Sequence, residues 1–222
     1  MWKSPSLSRK MNIRAVIFDL DGTLIVHKLK LREAKEEFLR NLRERLNNVV
    51  EFSPDSPIAS ILEEMSGEER MAAFKIMSEV FEPYEMMAAE VAELREDVIE
   101  VLEELKRRNI KLAIATNNSR MSTRLSLKNT SIEGFFDTVV TRDDVFDLKP
   151  NSQIILKTIE KLGVKAGEAI HVGDTVYDII AAKNAGVRAI ALVGGAHARE
   201  LLESANPDYL INSFKEILQV IE

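Results

Sequence analysis

Cysteine is missing from all 222 residues. That absence excludes a disulfide framework, a thiolate metal site and a cysteine nucleophile, and it fits an intracellular protein. A basic surplus is missing too: 36 acidic against 30 basic side chains leave a formal net charge of −6. No nucleic-acid-binding surface is therefore expected, and a small anionic substrate would need a local positive site. No stretch approaches the roughly 20 apolar residues of a membrane span. The opening residues Met1 to Lys10 are polar and basic and lack the apolar run of a signal peptide. Residues 1–12 read as a disordered leader, and the chain as a soluble, cytoplasmic protein with neither membrane nor nucleic-acid partners. With 45% apolar and 30% charged residues it has ordinary globular composition, enough for one large core or a core with a smaller inserted unit.

The stretch Val16-Ile17-Phe18-Asp19-Leu20-Asp21-Gly22-Thr23 runs from apolar residues into two carboxylates and a glycine. It reads as a buried strand, Arg14 to Leu20, whose carboxyl end opens into a turn. Side chains alternate along a strand, so Asp19 and Asp21 start on the same side, where two negative charges raise one another's pKa. A hard divalent cation with oxygen ligands, most simply Mg²⁺ brought to a phosphate, resolves that conflict. The bland alternative is an Asp-Gly turn that only reverses the chain.

From about Val26 the text becomes helical and charged. Leu31, Ala34, Phe38, Leu42 and Leu46 recur at three- and four-residue steps and predict one amphipathic helix. A loop with Pro54 and Pro57 ends it, and Ser56-Pro57 starts a short helix through Ile58 to Met65. Ser66 followed by Glu69 is a capping-box pattern that opens a further helix through Phe81, closed by Pro83, with a short fourth helix over Met86 to Ala92. Five of the eight methionines fall between positions 65 and 87, as packing material for a small helical unit.

From Glu96 helices alternate with short apolar strands. Strands are expected over Lys111 to Thr116, within Phe135 to Thr141, and over Ala169 to Val172, Val187 to Val193 and Tyr209 to Ile211. Helices are expected around Val98 to Asn109, after Ser119, over Ile154 to Leu162, Tyr177 to Ala185 and Phe214 to Ile221. This alternation predicts an α/β fold, a Rossmann-like doubly wound parallel sheet that binds its ligand beyond the carboxyl ends of its strands. Just there stand Asp19, Asp21, Gly22 and Thr23; then Thr116-Asn117-Asn118; then Lys149-Pro150; then Gly173-Asp174-Thr175, with Asp178 a turn further on. Taken singly, Thr116 and Asp174 read as helix caps, and Lys149 and Asp178 as surface charges. Together, one lysine, one hydroxyl and four carboxylates at one rim suit a metal and a phosphoryl group. His171, in an apolar strand, reads as a satisfied core histidine.

These four motifs, in this order over residues 13 to 222, resemble those of the haloacid dehalogenase-like superfamily of phosphotransferases. The resemblance implies a core formed by residues 13–25 and 95–222 and an inserted all-helical cap over 26–94, the small-cap arrangement of phosphoglycolate phosphatase-like members. It implies that Asp19 attacks phosphorus to form an aspartyl-phosphate, and that Asp21 protonates the leaving oxygen and then accepts a proton from water. Thr116, Asn117 and Lys149 would hold the phosphoryl oxygens, aided by backbone N–H groups near Leu20 and Asn117. Mg²⁺ would be held by Asp19, the backbone carbonyl of Asp21 and Asp174. Gly22, Thr23 and Gly173 would support the site, and Asp178 would support the metal's water shell or orient Lys149. Asp21 separates this chain from true dehalogenases, which lack that carboxylate. The implied activity is Mg²⁺-dependent hydrolysis of a small phosphorylated metabolite, phosphoglycolate or a sugar phosphate, with a phosphomutase or a non-catalytic binding protein as alternatives. One departure is Ile25-Val26-His27-Lys28, where such phosphatases often carry Asp or Ser. His27, Lys28, Lys30 and Arg120 are candidates for positive charge at the cap entrance.

Overall fold

The computed structural model describes residues 12–46 and 52–221, and the leader expected over 1–12 lies, save its last residue, outside them. Six described strands form one sheet: β1 Ala15–Phe18, β2 Lys111–Ala115, β3 Thr138–Val140, β4 Ala169–Gly173, β5 Arg188–Leu192 and β6 Tyr209–Ile211. Their order is β3-β2-β1-β4-β5-β6 and every neighbouring pair is parallel. From β1 the chain winds outward to β3 on one side, then crosses back to β4 on the other. A crevice therefore opens above β1 and β4, where strand order reverses.

The central strands are buried on both faces, and their alternation sorts them into two cores. Val16, Phe18, Leu112, Ile114, Ile170 and Val172 pack on one side with α4 (Val98–Arg107) and α9 (Ile217–Val220). Ala15, Ile17, Ala113, Ala115 and Ala169 face the other, under α6 (Gln153–Leu162), α7 (Val176–Asn184) and α8 (Arg199–Ser204). The small alanines on that second face let the helices approach closely, while Phe18 fills the first by stacking on Phe214 at 5.6 Å.

The first strand stops two residues earlier than expected because the chain turns on Leu20, whose carbonyl accepts from the N–H groups of Leu24 at 2.9 Å and Ile25 at 3.1 Å. The chain then leaves the sheet and returns beside itself. Val26 donates to Glu93 O at 2.9 Å and Arg95 to Leu24 O at 3.0 Å, so the outgoing and incoming segments run side by side above β1. Between them lie α1 (Leu31–Leu46), α2 (Ile58–Glu63) and α3 (Gly67–Glu90), which share a separate cluster built on Phe38, Leu42, Ile61, Ile76 and Phe81. Leu148, which precedes Lys149, inserts into that cluster from the sheet side.

Three expectations for this unit are corrected. Pro83 does not close a helix: α3 continues through it to Glu90, and no separate helix covers Met86 to Ala92. A proline inside a helix removes one backbone bond at a cost of about 3 kcal/mol. Burial of Val80, Phe81, Glu85 and Ala89 on either side holds the helix against that cost. Ser66 stands at the start of α3 but its side chain makes no capping bond, and Pro57 stands just before α2 rather than within it. Of the methionines read as packing, Met65 and Met77 are buried, whereas Met71 and Met87 face solvent. Two differences lie outside this unit: α8 (Arg199–Ser204) forms where no helix is expected, and in the last segment a single 3-10 turn at Phe214–Glu216 precedes the short α9.

Candidate active site

Asp19 follows β1, Thr116 follows β2, Lys149 follows β3 after a loop and Asp174 follows β4, so the parallel sheet delivers all four side chains to one edge. All four are buried. The Lys149 ammonium uses its three donors on Asp19 Oδ1 at 2.6 Å, Asp178 Oδ1 at 2.6 Å and the carbonyl of Ala115 at 2.9 Å. Burial alone would strip its proton, but the two carboxylates outweigh burial and hold it above the ordinary lysine range.

Asp178 is not at the surface, where its position in a charged helix would place it when read alone. It is buried at the first turn of α7, where Thr175 caps the helix and Asp178 Oδ2 accepts from the Thr175 backbone N–H at 3.1 Å. His171 Nε2 lies 3.2 Å from its Oδ1. Burial would raise the Asp178 carboxyl; Lys149 and His171 prevail and hold it well below the usual carboxylate range. Burial also pushes the His171 pKa down, so the ring is a neutral donor to an ionised Asp178. Gly173 makes the arrangement possible, because a Cβ there would stand 2.3 Å from Asp178 Cβ and Cγ.

Asp174 accepts from the Thr23 hydroxyl at 2.9 Å and the Ala196 N–H at 2.6 Å. Gly22 packs against it at φ +83, where a Cβ would come within 2.2 Å of Asp174 Oδ2. Carboxylate oxygens of Asp19, Asp174 and Asp178 all lie within 4.8 Å of one another. This hard, buried oxygen set fits a divalent cation, which Asp19 and Asp174 could hold through lone pairs beyond those that accept from Lys149, Thr23 and Ala196, whereas one oxygen of Asp178 already meets both Lys149 and His171. Burial first, then Asp178, raises the Asp174 carboxyl to about 6. Burial raises Asp19 to about 8, opposed by Lys149 and reinforced by Asp178 and Asp174.

Asp21 stands apart from this cluster. It is half-buried, its Oδ2 accepts from the Asn118 side chain at 2.6 Å, and its pKa is raised chiefly by burial against that hydrogen bond. The mutual repulsion expected between Asp19 and Asp21 is thus not the leading cause of either shift: loss of water is. Asn117 Oδ1 accepts from the Lys149 N–H at 3.0 Å, which ties the second motif to the third.

Of the cationic candidates near the entrance, only His27 lines the cavity. Lys28 pairs with Glu93, Lys30 with Glu33 and Arg120 with Asp144. Three further residues escaped the sequence reading. Arg95 grips the carbonyl of Gly22 and reaches Val193 O at 3.0 Å. Glu85, from α3, is buried against Arg142, the Ser119 N–H at 2.9 Å and the Ser122 hydroxyl at 3.1 Å, and Arg142 in turn reaches Asn117 O at 3.2 Å. A Glu in a helix rich in Glu gives no signal of burial; only its partners across the fold mark it out. Above the carboxylates lies a cavity of about 210 Å³, walled by the sheet edge and by residues of α1, α2 and α3.

The family model described as haloacid dehalogenase-like hydrolase matches residues 16–192. The chain is 31% identical over 225 residues to pyrophosphatase PpaX of Bacillus mycoides, covering 95% of this chain and 98% of that protein. Its fold is similar to that of a protein from Haemophilus somnus described as a predicted phosphoglycolate phosphatase, with TM-score 0.67, 22% identity and coverage of 95% and 99%. CbbY from Rhodobacter sphaeroides, solved in complex with phosphate, is similar with TM-score 0.63, 25% identity and coverage of 92% and 96%.

Proposed function

Because the chain belongs to the haloacid dehalogenase-like hydrolases and is a phosphatase of that family, we propose that it hydrolyses a small phosphorylated metabolite through an aspartyl-phosphate on Asp19, with Mg²⁺ as cofactor. The observation that carries this reading is the pair of differently tuned carboxylates at one mouth: Asp19, with Oδ1 held by Lys149 at 2.6 Å, and Asp21, half-buried with a raised pKa. Two carboxylates whose surroundings differ are what a nucleophile and a general acid require.

In the first step the free oxygen of Asp19 bonds to phosphorus as the bond to the leaving oxygen breaks, and that oxygen takes the proton of Asp21. In the second, water attacks phosphorus, Asp21 receives the water's proton, and the Asp19–phosphorus bond breaks to free phosphate. Thr116 holds the phosphoryl oxygens in both, and Lys149 shifts one of its three donors from Asp19 to a phosphoryl oxygen as the carboxylate gives up its charge to phosphorus, while Asp178 and His171 keep the ammonium charged and aimed. Asp19, Asp174 and the backbone carbonyl of Asp21 would hold Mg²⁺, which when bound would supply positive charge to the phosphoryl group. In this reading residues 26–94 form a cap over the site.

Phosphoglycolate or a sugar phosphate is the substrate the small cavity favours. Inorganic pyrophosphate is a second candidate, favoured by the near full-length similarity to a pyrophosphatase. The purified protein is expected to release phosphate from a member of this panel with Mg²⁺ and to stop when chelated. Asp19→Asn should lower turnover at least about a thousandfold with an unchanged circular dichroism spectrum. Full activity after exhaustive chelation, or an active Asn variant, contradicts the mechanism.

A further inference from the structure

Each carboxylate that lines the cavity already has its own partner. Asp19 and Asp178 are held by Lys149, Asp21 by Asn118 and Glu85 by Arg142. One cation that lines the same cavity is not matched in this way. Lys35, from α1, is half-buried there, and its hydrogen bond among the described residues runs to the carbonyl of Ser56 at 3.0 Å. Asp55, the carboxylate that acts on it, is engaged by Arg32 at 3.8 Å. Burial lowers the Lys35 pKa and Asp55 only partly opposes that fall, so among the described residues the ammonium has given up water without a carboxylate at hydrogen-bond distance.

His197 lines the cavity from the sheet side, on the loop after β5. Its Nδ1 accepts from the Val176 N–H at 3.1 Å, and its ring packs edge-on against Tyr177 at 5.4 Å. With Nδ1 used as an acceptor, the neutral ring carries its proton on Nε2 and has a donor to offer. Lys35 and His197 thus line one cavity, the first from α1 and the second from the loop after β5.

We propose that Lys35 and His197 form a distal subsite for a second oxyanion on the leaving side of the substrate, a phosphate or a carboxylate. The subsite rests on the phosphatase reading above, since it recognises the part of the molecule that departs when Asp19 takes the phosphoryl group. It selects doubly anionic substrates over monoesters with an uncharged leaving group. It also joins α1 to the loop after β5 through the ligand, so the second anion draws the helical unit onto the sheet edge.

The experiment compares kcat/KM for inorganic pyrophosphate and for 2-phosphoglycolate with that for p-nitrophenyl phosphate, in wild type and in Lys35→Gln, Lys35→Arg and His197→Asn. The Asn amide oxygen can still accept from Val176 N–H, so that variant removes Nε2 alone. Lys35→Gln is expected to cut the ratio of doubly anionic to monoester activity by about ten- to a hundredfold, mainly through KM, as for loss of a charged hydrogen bond. Lys35→Arg should restore most of that ratio, and His197→Asn should lower it in the same direction. The pyrophosphate and phosphoglycolate arms separate phosphate from carboxylate recognition. Equal losses on all three substrates, or none, overturn the subsite while leaving the phosphatase reading intact. A wild-type protein that hydrolyses none of them, nor any of a set of sugar phosphates, overturns that reading and the subsite with it.

Discussion

At the scale of single residues the site is governed by how much water each carboxyl loses and which donor replaces it. Asp178 loses its water but gains Lys149 and His171, and stays ionised; Asp19 shares the same lysine yet sits at about 8. Its ordinary value is 3.8, so the folded chain holds a proton on Asp19 that the unfolded chain releases over that interval. The stability this confers is fully present below the unfolded value and is lost as pH rises toward the folded one. Without divalent metal, the stability of wild type relative to Asp19→Asn should therefore fall between about pH 4 and about pH 8. Paired urea titrations across that range test it, and a flat or rising difference contradicts it. Asp21 has a different signature, because its raised pKa suits proton donation to the leaving oxygen. Asp21→Asn should abolish turnover of alkyl phosphates yet keep part of the first step with p-nitrophenyl phosphate, whose leaving group needs no proton. Equal loss on both would remove the acid role.

At the scale of elements, α3 is the one that couples the helical unit to the sheet. Its Glu85 is buried at a point where Arg142, Ser119 and Ser122 converge, and Arg142 passes the contact on to the carbonyl of Asn117 beside Thr116. Removing one member of a buried ion pair strands the other, at a typical cost of about 3–5 kcal/mol. Glu85→Gln and Arg142→Met should each be destabilised on that scale, while the double variant loses much less than their sum. Additive losses in urea denaturation would mean that the two charges are not coupled. Leu148 makes the second contact, from the residue beside Lys149 into the cluster around Phe38 and Phe81. Both contacts land on the segments that carry Thr116 and Lys149, which ties α3 to the sheet edge at two points.

At the scale of the whole molecule, the two tethers at Val26 and Arg95 leave and re-enter beside β1, so the helical unit stands above Asp19. The cavity between them is about 210 Å³, below the roughly 300–1,000 Å³ of pockets for drug-sized ligands. A net charge of −6 adds long-range repulsion against polyanions. Small phosphorylated acids or sugars should be turned over, with kcat/KM for a phosphopeptide or a polynucleotide at least about a hundredfold lower than for the best of them. Equal rates would mean that the helical unit does not cover the site. Among the described residues no helix is long and apolar enough to cross a membrane.

What the chain order alone determined was the parallel sheet and the edge at which chemistry sits. A buried strand followed by Asp-x-Asp-Gly-Thr, and a helix pattern after most of the later strands, are local signals, and the βαβ rule turns them into a place. Asp19, Thr116, Lys149 and Asp174 were legible for that reason. Only the tertiary structure decided that Asp178 belongs to Lys149 and His171, so that His171 is more than a core residue, that Asp21 is held by Asn118, and that Pro83 lies within one long helix. It also decided which charges face the cavity: Lys35, Glu85 and Arg142 look like any other charge in their segments until the fold buries them. Burial and pairing depend on residues far apart in sequence, such as Glu85 and Arg142 or Lys149 and Asp19, and no local pattern carries that information.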